Sequence, residues 1–554
     1  MNTLCVNKLQ ESVVQNYIFN LGLNNYKDYD LEYDIHDILQ LGHRLLGQLL
    51  VEKKLVLYKD NSLPKIVPTA ELLAENDIEL RSKNHFVYNK PIISTSRNTY
   101  SIDDNNFSKI IERYSYKTDI KLDNASNAIL KKQNHIRFKI WGDILNFKRK
   151  EIQDINYQHE TNKMIEAIKN NIDKPIYFGH RFDKRGRLYN DGYLVNYQGD
   201  EFSKAAINVD CEFYVRDENI KYIKHDLANR YGLDKLTYEE KEKWVDDNYT
   251  KLMINAIKDA KEPIMFAKAR KAYIDVLSGK KISYFVSNDS TASGLQILSL
   301  LSNDEYTARL TNLTDNSKCY DIYSELTTDF FKKFEVDIPM KAIRKNYIKP
   351  IIMTHYYNSK KGVANKFNEL LIEYPQLKEK GVSLEKFIEY LNEYCKGPQM
   401  ILEKINEVFD KLPKDTKNIT YTMPDGFIVD IPLISKETKT FQNGYYCVSM
   451  MYDVNEYSYS NNHRSLAPNI IHSIDAYIVR LVLRECKFDV VTIHDCFSCS
   501  PNLVDKLKRA YTNALKRIQQ DDLLNHILSQ IDKSYKPLDK PDKIQICENN
   551  YAIC

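Results

Sequence analysis

Two aspartates, Asp289 and Asp495, stand where a carboxylate can hold a divalent cation. Asp289 ends an apolar run, Tyr284-Phe285-Val286, where the chain enters a small-residue turn. Asp495 lies between Val490-Val491-Thr492-Ile493 and Cys496-Phe497, so His494-Asp495 form the bend of an expected hairpin. A carboxylate at a strand end is held rigidly and faces outward, as magnesium with its strict geometry requires. Each residue alone has an ordinary explanation, Asp289 as a helix N-cap and Asp495 as a turn former. Together they meet the demand of in-line phosphoryl transfer on two metal ions about 3.5–4 Å apart, which needs carboxylates that bridge both.

A cationic helix face is the third element. Lys345 and Lys349 are four residues apart, and Tyr357 follows eight after Lys349. On a regular helix they share a stripe about 120° wide. Lysines there suit a triphosphate and the charge that grows on departing pyrophosphate. The tyrosine adds a hydroxyl and a ring near a sugar. A solvated basic face with a packed tyrosine is the plain alternative.

These groups need a scaffold. ISYFVSND reads as a strand entering the helix SGLQILSLLS, and residues 489–500 read as strand, turn, strand before a helix at 503–519. Earlier, IHDILQLGHRLLGQLLVEKKLVLY reads as a helix leading into a strand. Residues 124–172 carry apolar positions at helical spacing (Ile129, Ile136, Ile140, Ile144, Leu145) and no proline, which predicts a helical segment. Residues 235–280 and 318–410 read as helical, 419–460 as strands with Asn443-Gly444 marking a hairpin, and 469–485 as a helix. Helices mixed with antiparallel strands in this order predict an α+β fold.

With 554 residues the chain exceeds one core, and about 150 residues per domain predicts three or four packed units. No run of about 18 apolar residues is present, so no membrane span is expected. The first residues resemble neither a secretory signal nor a transit segment, which predicts that the chain stays where it is made. Ten cysteines, with only Cys496 and Cys499 at close spacing, read as reduced thiols and not as a zinc site. A net charge of +3 is uninformative; a nucleic-acid channel would be local, with Lys148-Arg149-Lys150, Lys341 to Lys349 and Lys360-Lys361 as candidates.

Several motifs in one order carry a resemblance. Asp289-Ser290-Thr291-Ala292-Ser293-Gly294-Leu295-Gln296 is similar to motif A of the bacteriophage and mitochondrial single-subunit RNA polymerases. Lys345, Lys349, Met353-Thr354 and Tyr357 resemble their motif B, and Ile493-His494-Asp495-Cys496-Phe497 their motif C. Asp183 to Tyr189, Gln198-Gly199 with Lys204, Lys224 with Asn229, Pro424 to Phe427, Ala467 to Ser473 and the end Tyr551 to Cys554 agree as well. The likeness covers about residues 120–554, with a weaker echo at Leu41 to Leu50.

The resemblance implies a right-hand polymerase fold of palm, fingers and thumb, with a small, mostly helical N-terminal domain. The boundaries expected are 1–125 for that domain, 126–174 for a helical thumb-like segment, 175–304 for the first part of the palm, 305–472 for the fingers and 473–554 for the second part of the palm. A specificity hairpin is expected near 436–460. The implied activity is DNA-templated RNA synthesis from ribonucleoside triphosphates, with two magnesium ions on Asp289, Asp495 and the carbonyl of Ser290. Lys349 maps to the lysine on the incoming phosphates that protonates the leaving group. Lys345 and Lys224 map to other phosphate contacts, Tyr357 and His472 to the pair reading the ribose 2′-hydroxyl, and Arg187 and Lys204 to nucleic-acid contacts.

The sequence also departs from the pattern. Asn358 follows Tyr357 where the family has Gly, Pro350 adjoins Lys349, Ser290 replaces a Gly, and Thr291 stands in place of the first Ser of motif A. DNA polymerases with the same palm carry Glu at the positions of Gly294 and Cys496, so these two residues favour ribonucleotides. A catalytic part that works with a partner and an inactive nucleic-acid-binding relative are the other readings. The short N-terminal region leads us to expect an initiation factor or separate promoter-recognition subunit. The compartment expected is a host cytoplasm for a viral or phage chain, or the mitochondrion for an organelle- or plasmid-encoded one.

Overall fold

A computed structural model describes residues 55–58, 65–68, 122–150, 155–190, 195–250, 257–356, 360–413, 416, 418–433, 435–443, 446–454, 459–548 and 551–554. Nearly all of the expected N-terminal domain lies outside these residues, as do the echo at Leu41 to Leu50, the helix expected before Leu55, and Tyr357 and Asn358. The fold is mixed helix and sheet, as expected. Strands β1 (Leu55–Tyr58) and β2 (Lys65–Pro68) pair antiparallel, so the strand expected at the end of that first segment is present.

Residues 124–172 do not form one helical segment. Helix α1 (Asn124–His135) is capped by the Asp123 side chain and stops, and Phe138–Ile140 is strand β3, followed by a turn of 3₁₀ helix at Gly142–Asn146. Ile136, Phe138 and Ile140 are buried while Arg137 is exposed. Isoleucines four apart thus also satisfied a two-residue period, and β-branched residues favour the strand. Strand β3 pairs with β6 (Ile207–Val209), and β4 (His180–Phe182) with β5 (Leu188–Asn190). Phe138, Phe178 and Tyr197 stack there in a second, smaller core.

The larger core gathers helices α2 (Ile220–Tyr231), α3 (Pro263–Leu277) and those that follow. Strand β7 (Val286–Asp289) is the edge of a three-stranded antiparallel sheet of order β12-β13-β7, with β12 Val491–Ile493 and β13 Cys496–Cys499. Helix α4 (Ser293–Ser302) buries Leu295, Ile297, Leu298, Leu300 and Leu301. At about 1.5–3 kcal/mol for each large apolar side chain, this anchors the element that follows Asp289. Helix α5 (Ile322–Lys332) precedes the turn-rich approach to α6 (Lys349–Tyr356). Directly before α6, Arg344–Ile348 is a π-helical turn, which accommodates Pro350 and its missing N–H.

Helix α7 (Lys396–Asp410) is followed by the hairpin of β8 (Asn418–Thr422) and β9 (Ile428–Pro432), and then by a longer hairpin of β10 (Ser435–Asn443) and β11 (Tyr446–Val454). Asn443 pairs with Tyr446, so Asn443-Gly444 does open a two-residue connection. The strands end earlier and the next helix starts earlier than expected. Helix α8 runs Tyr459–Glu485 with Pro468 inside it. Its Leu466–Glu485 stretch is long and apolar enough to cross a membrane, yet 78% of it is buried in protein and it carries Asp475 and Arg480, which makes it a core helix. Helix α9 (Val504–Gln520) closes the core; α4 packs against α7, α8 and α9.

Candidate active site

Strand β7 follows a two-residue alternation. Ile282, Tyr284, Val286 and Asn288 are buried, whereas Ser287 and Asp289 face the cleft. Asp289 is not the cap of α4: the capping position is Ala292, in left-handed backbone at φ 55, with no side-chain cap. On the other side, Ile493 pairs with Cys496 across a two-residue turn, and His494 takes left-handed φ of 54. Cys496 is the register partner of Asp289, so Asp495 lies next to Asp289 across the sheet. The Ser290 amide donates to the Asp495 carbonyl at 3.3 Å, and the Ser290 hydroxyl to Asp495 Oδ2 at 2.8 Å. The aspartates singled out in the sequence therefore converge.

The chain's last residues form the other flank. Asp289 and Cys554 exchange backbone hydrogen bonds at 2.9 and 3.0 Å, and Thr291 N–H donates to the Ala552 carbonyl at 2.9 Å. The Gln296 amide nitrogen donates to Ala552 and to Thr311, both at 2.9 Å, while its oxygen accepts from the Tyr511 hydroxyl. Tyr551 stacks on Tyr238 with ring centroids 4.3 Å apart.

Desolvation at the cleft floor, and then the Asp495 charge, hold the Asp289 carboxyl well above its ordinary range; Lys235 and Lys349 oppose the shift. Lys349 is exposed along part of its length, with its ammonium 5.4 Å from the Tyr323 ring centroid. Partial desolvation, then Arg344 and Lys235, hold its pKa below the usual value against Asp321 and Asp289. Arg344 is bound by both oxygens of Asp321 at 2.7 and 2.8 Å. Lys345 lies exposed on the π turn. The regular stripe expected for Lys345 and Lys349 is thus interrupted, and the cation acting most strongly on Lys349 is Arg344.

Lys235 was not singled out in the sequence. It follows the left-handed Gly232 that ends α2 and pairs with Asp234 at 3.2 Å. Against desolvation, Asp234 and Asp321 raise its pKa. Its neighbour Asp234 made it resemble any surface ion pair, so only its place after a helix-ending glycine set it apart. Lys224, by contrast, is held by both oxygens of Asp246 at 2.6 and 2.8 Å.

A second group sits behind His494. Asp183 accepts from the Arg185 and Arg187 amides and from the Arg185 guanidinium. Arg185 donates to His472 Nδ1 at 3.1 Å, and Arg187 to Asp475 at 3.1 Å. Burial, then Arg187 and Arg185, push His472 down to about 3, which leaves it neutral with its proton on Nε2. Burial and the Asp495 charge raise Asp475 to about 7 despite Arg187. His472 is the one position from 470 to 480 that is not buried. A cavity of about 440 Å³ opens on the sheet face that carries Ser287 and Asp289, lined by Lys204, Arg230, Lys268, Asp289 and Asp495 among others.

Among the described residues no group of three or more His, Cys, Asp or Glu converges as a complete metal site. The pair Asp289 and Asp495 nevertheless suits a hard cation that completes its shell with water and phosphate oxygens. A carboxyl pushed toward its protonated form by burial and then by a neighbouring acid is the arrangement that a divalent ion relieves.

Comparison with known proteins agrees. Residues 215–552 match the family described as DNA-dependent RNA polymerase. The chain is 22% identical over 504 residues to the "Probable DNA-directed RNA polymerase" of Gelasinospora sp. (strain G114), covering 80% of this chain and 60% of that one. It is 19% identical to the mitochondrial DNA-directed RNA polymerase of Schizosaccharomyces pombe, over 69% of this chain and 37% of that one. It is 22% identical to the DNA-directed RNA polymerase of Pseudomonas phage phiKMV, over 62% of this chain and 48% of that one. The chain thus spans between about a third and three fifths of the length of these relatives. On the family match and the motifs that fall at one cleft, this chain belongs to the DNA-dependent RNA polymerase family, of the single-subunit type found in phage and mitochondria.

Proposed function

We propose that the chain carries out DNA-templated RNA synthesis, joining a ribonucleoside triphosphate to an RNA 3′ end with release of pyrophosphate. The observation that carries this reading is the convergence of Asp289 and Asp495 across β7 and β13, with Lys235 and Lys349 acting on the same carboxylate. Two magnesium ions held by Asp289, Asp495 and the Ser290 carbonyl would supply a polarised phosphoryl group and an acidified 3′-hydroxyl. The chain's own groups do the rest. Lys349 neutralises the departing pyrophosphate and gives it a proton; Lys235 and Lys345 attract the triphosphate. His472, neutral and donating from Nε2, reads the ribose 2′-oxygen with Tyr357, and Arg187 and Lys204 face the nucleic acid.

In this reading the three-stranded sheet belongs to the palm (175–304 and 473–554), the helices of 305–472 to the fingers, and 126–174 to the thumb side. The β10–β11 hairpin is the specificity hairpin, of a size that enters a major groove. Space beyond Gly294 is open, where a DNA polymerase of this type would place Glu, which favours a substrate that keeps its 2′-hydroxyl. In this reading promoter recognition is either reduced or assigned to a partner subunit or factor. The host cytoplasm and the mitochondrion are both compatible compartments, given the phage and mitochondrial relatives.

The test is extension of an RNA primer on a DNA template with ribonucleotides or deoxyribonucleotides, for the wild type and Asp495→Ala. Ribonucleotide extension that falls about a thousandfold or more in the variant is expected. Extension with deoxyribonucleotides alone, or unchanged activity in the variant, would overturn the reading. A promoter-bearing duplex without a primer tests the partner: specific initiation by the chain alone removes the need for one.

A further inference from the structure

Ser290 and Thr291 are the two places where the segment Asp289 to Gln296 departs from its family pattern, and the Ser290 side chain has a use that the backbone alone does not supply. Its hydroxyl makes the only hydrogen bond to the Asp495 carboxyl among the described residues, at 2.8 Å. The residue is pinned on both sides: its amide donates to the Asp495 carbonyl, and Ile553 bridges it from the chain's end. Only 8% exposed, it has little room to turn away.

Asp495 needs such a hold. It sits in a two-residue turn, beside Asp289 and within electrostatic reach of Asp475. Until a cation arrives, like charge drives these carboxylates apart, and a turn aspartate has freedom to swing. We propose that the Ser290 hydroxyl is a positioning group that holds the Asp495 carboxylate beside Asp289, so that cation capture does not have to order it. One lone pair of Oδ2 is used, and the rest of the carboxylate stays available to an ion. A glycine at this position leaves that ordering to the metal itself. The inference rests on the two-carboxylate reading above but makes a separate claim about one hydroxyl.

The test measures metal binding directly. Free Mn²⁺ is counted by electron paramagnetic resonance during titration of the full chain without nucleotide. The proteins are wild type, Ser290→Ala, Ser290→Gly, Ser290→Thr and Asp495→Ala. Loss of the hydroxyl in Ala and Gly is expected to weaken Mn²⁺ binding about tenfold, the lower end of the cost of removing a hydrogen-bond partner of a metal ligand. Ser290→Thr keeps the donor and is expected to stay within about threefold of wild type. In extension assays the Mg²⁺ half-saturation should rise by a larger factor than kcat falls, a split that general loss of structure does not produce. Equal Mn²⁺ affinity in Ala, Gly and wild type would sink the inference, as would a Thr variant as weak as Ala. Having two donor-free variants protects the test if one fails to fold. If Asp495→Ala binds Mn²⁺ as well as wild type does, the metal reading itself has failed, an outcome distinct from failure at Ser290.

Discussion

Two charged corners of this molecule stand in contrast. At one, Arg480 and Asp425 are buried, 0% and 4% exposed, and their charges are fully paired. The guanidinium gives two hydrogen bonds to the carboxylate at 2.6 and 3.1 Å, a third to the Gly186 carbonyl, and stacks 4.4 Å from the Phe427 ring centroid. Gly186, at φ +86, leaves the space: a Cβ there would come within 2.3 Å of the guanidinium. At the other corner, Asp289 and Asp495 adjoin each other, and burial, then the Asp495 charge, force the Asp289 carboxyl upward in pKa. The first corner spends its charges on tying the Asp183–Arg187 loop and the β8–β9 turn to α8. Among the described residues no cation is in direct contact with the second pair, an arrangement that suits the metal site proposed above.

The largest effect should break the first corner. Asp425→Ala leaves a buried, unpaired guanidinium, and a loss of about 3–5 kcal/mol in unfolding free energy is expected by denaturant titration. Asp289→Asn should do the reverse to stability. Its neutral amide relieves repulsion, so the melting temperature without metal should stay level or rise while extension falls about a thousandfold. If both variants unfold alike, the distinction between a paired and an unpaired corner is gone.

His180 extends the paired side to a neutral group. Its ring lies between the Asn134 side chain at 2.8 Å and the Tyr197 hydroxyl at 2.6 Å, and burial pushes its pKa down to about 3. The unfolded chain takes up a proton near 6.5 and the folded one does not, so stability falls as pH drops below 6.5. Between pH 6.5 and 4.5 this group should remove about 2–3 kcal/mol. In His180→Gln that part of the slope should vanish, as read from unfolding free energies at several pH values. An unchanged slope would mean that other groups carry it.

Sequence patterns made the second corner more legible than the first. Strand alternation up to Asp289 and the short gap between Val490 to Ile493 and Cys496-Phe497 are local signals, and local signals fix a hairpin register. The helix expected at 503–519 is Val504–Gln520 for the same reason. Arg480 pairing with Asp425 could not be read, because nothing local links residues 55 apart. The helix expected at 469–485 starts instead at Tyr459 and runs through Pro468, since packing outweighs the lost hydrogen bond. The π turn at Arg344–Ile348 also escaped, although Pro350 marked its neighbourhood. Helical spacing therefore put Lys345 and Lys349 on one regular stripe, whereas the π turn interrupts it and Arg344 is the cation that acts most strongly on Lys349.

The smallest effects sharpen the comparison among the lysines. Lys349 and Lys235 both act on Asp289, and replacing either with Met should lower kcat/KM for ribonucleotides about 10- to 100-fold, of the order of one or two lost charge contacts to phosphate. Lys224 mapped to a phosphate contact by resemblance, yet it is tied to Asp246 by two hydrogen bonds. Asp246 is 56% exposed, so the pair lies in water and holds only weakly, about 0.2–1 kcal/mol at most. Lys224→Met should therefore change kcat/KM by less than about threefold in steady-state extension. A loss as large as that of Lys235→Met would mean that Lys224 leaves Asp246 for the triphosphate when substrate enters. Asp246→Asn, which frees Lys224, should then raise triphosphate affinity, whereas a lysine that only holds Asp246 would leave it unchanged.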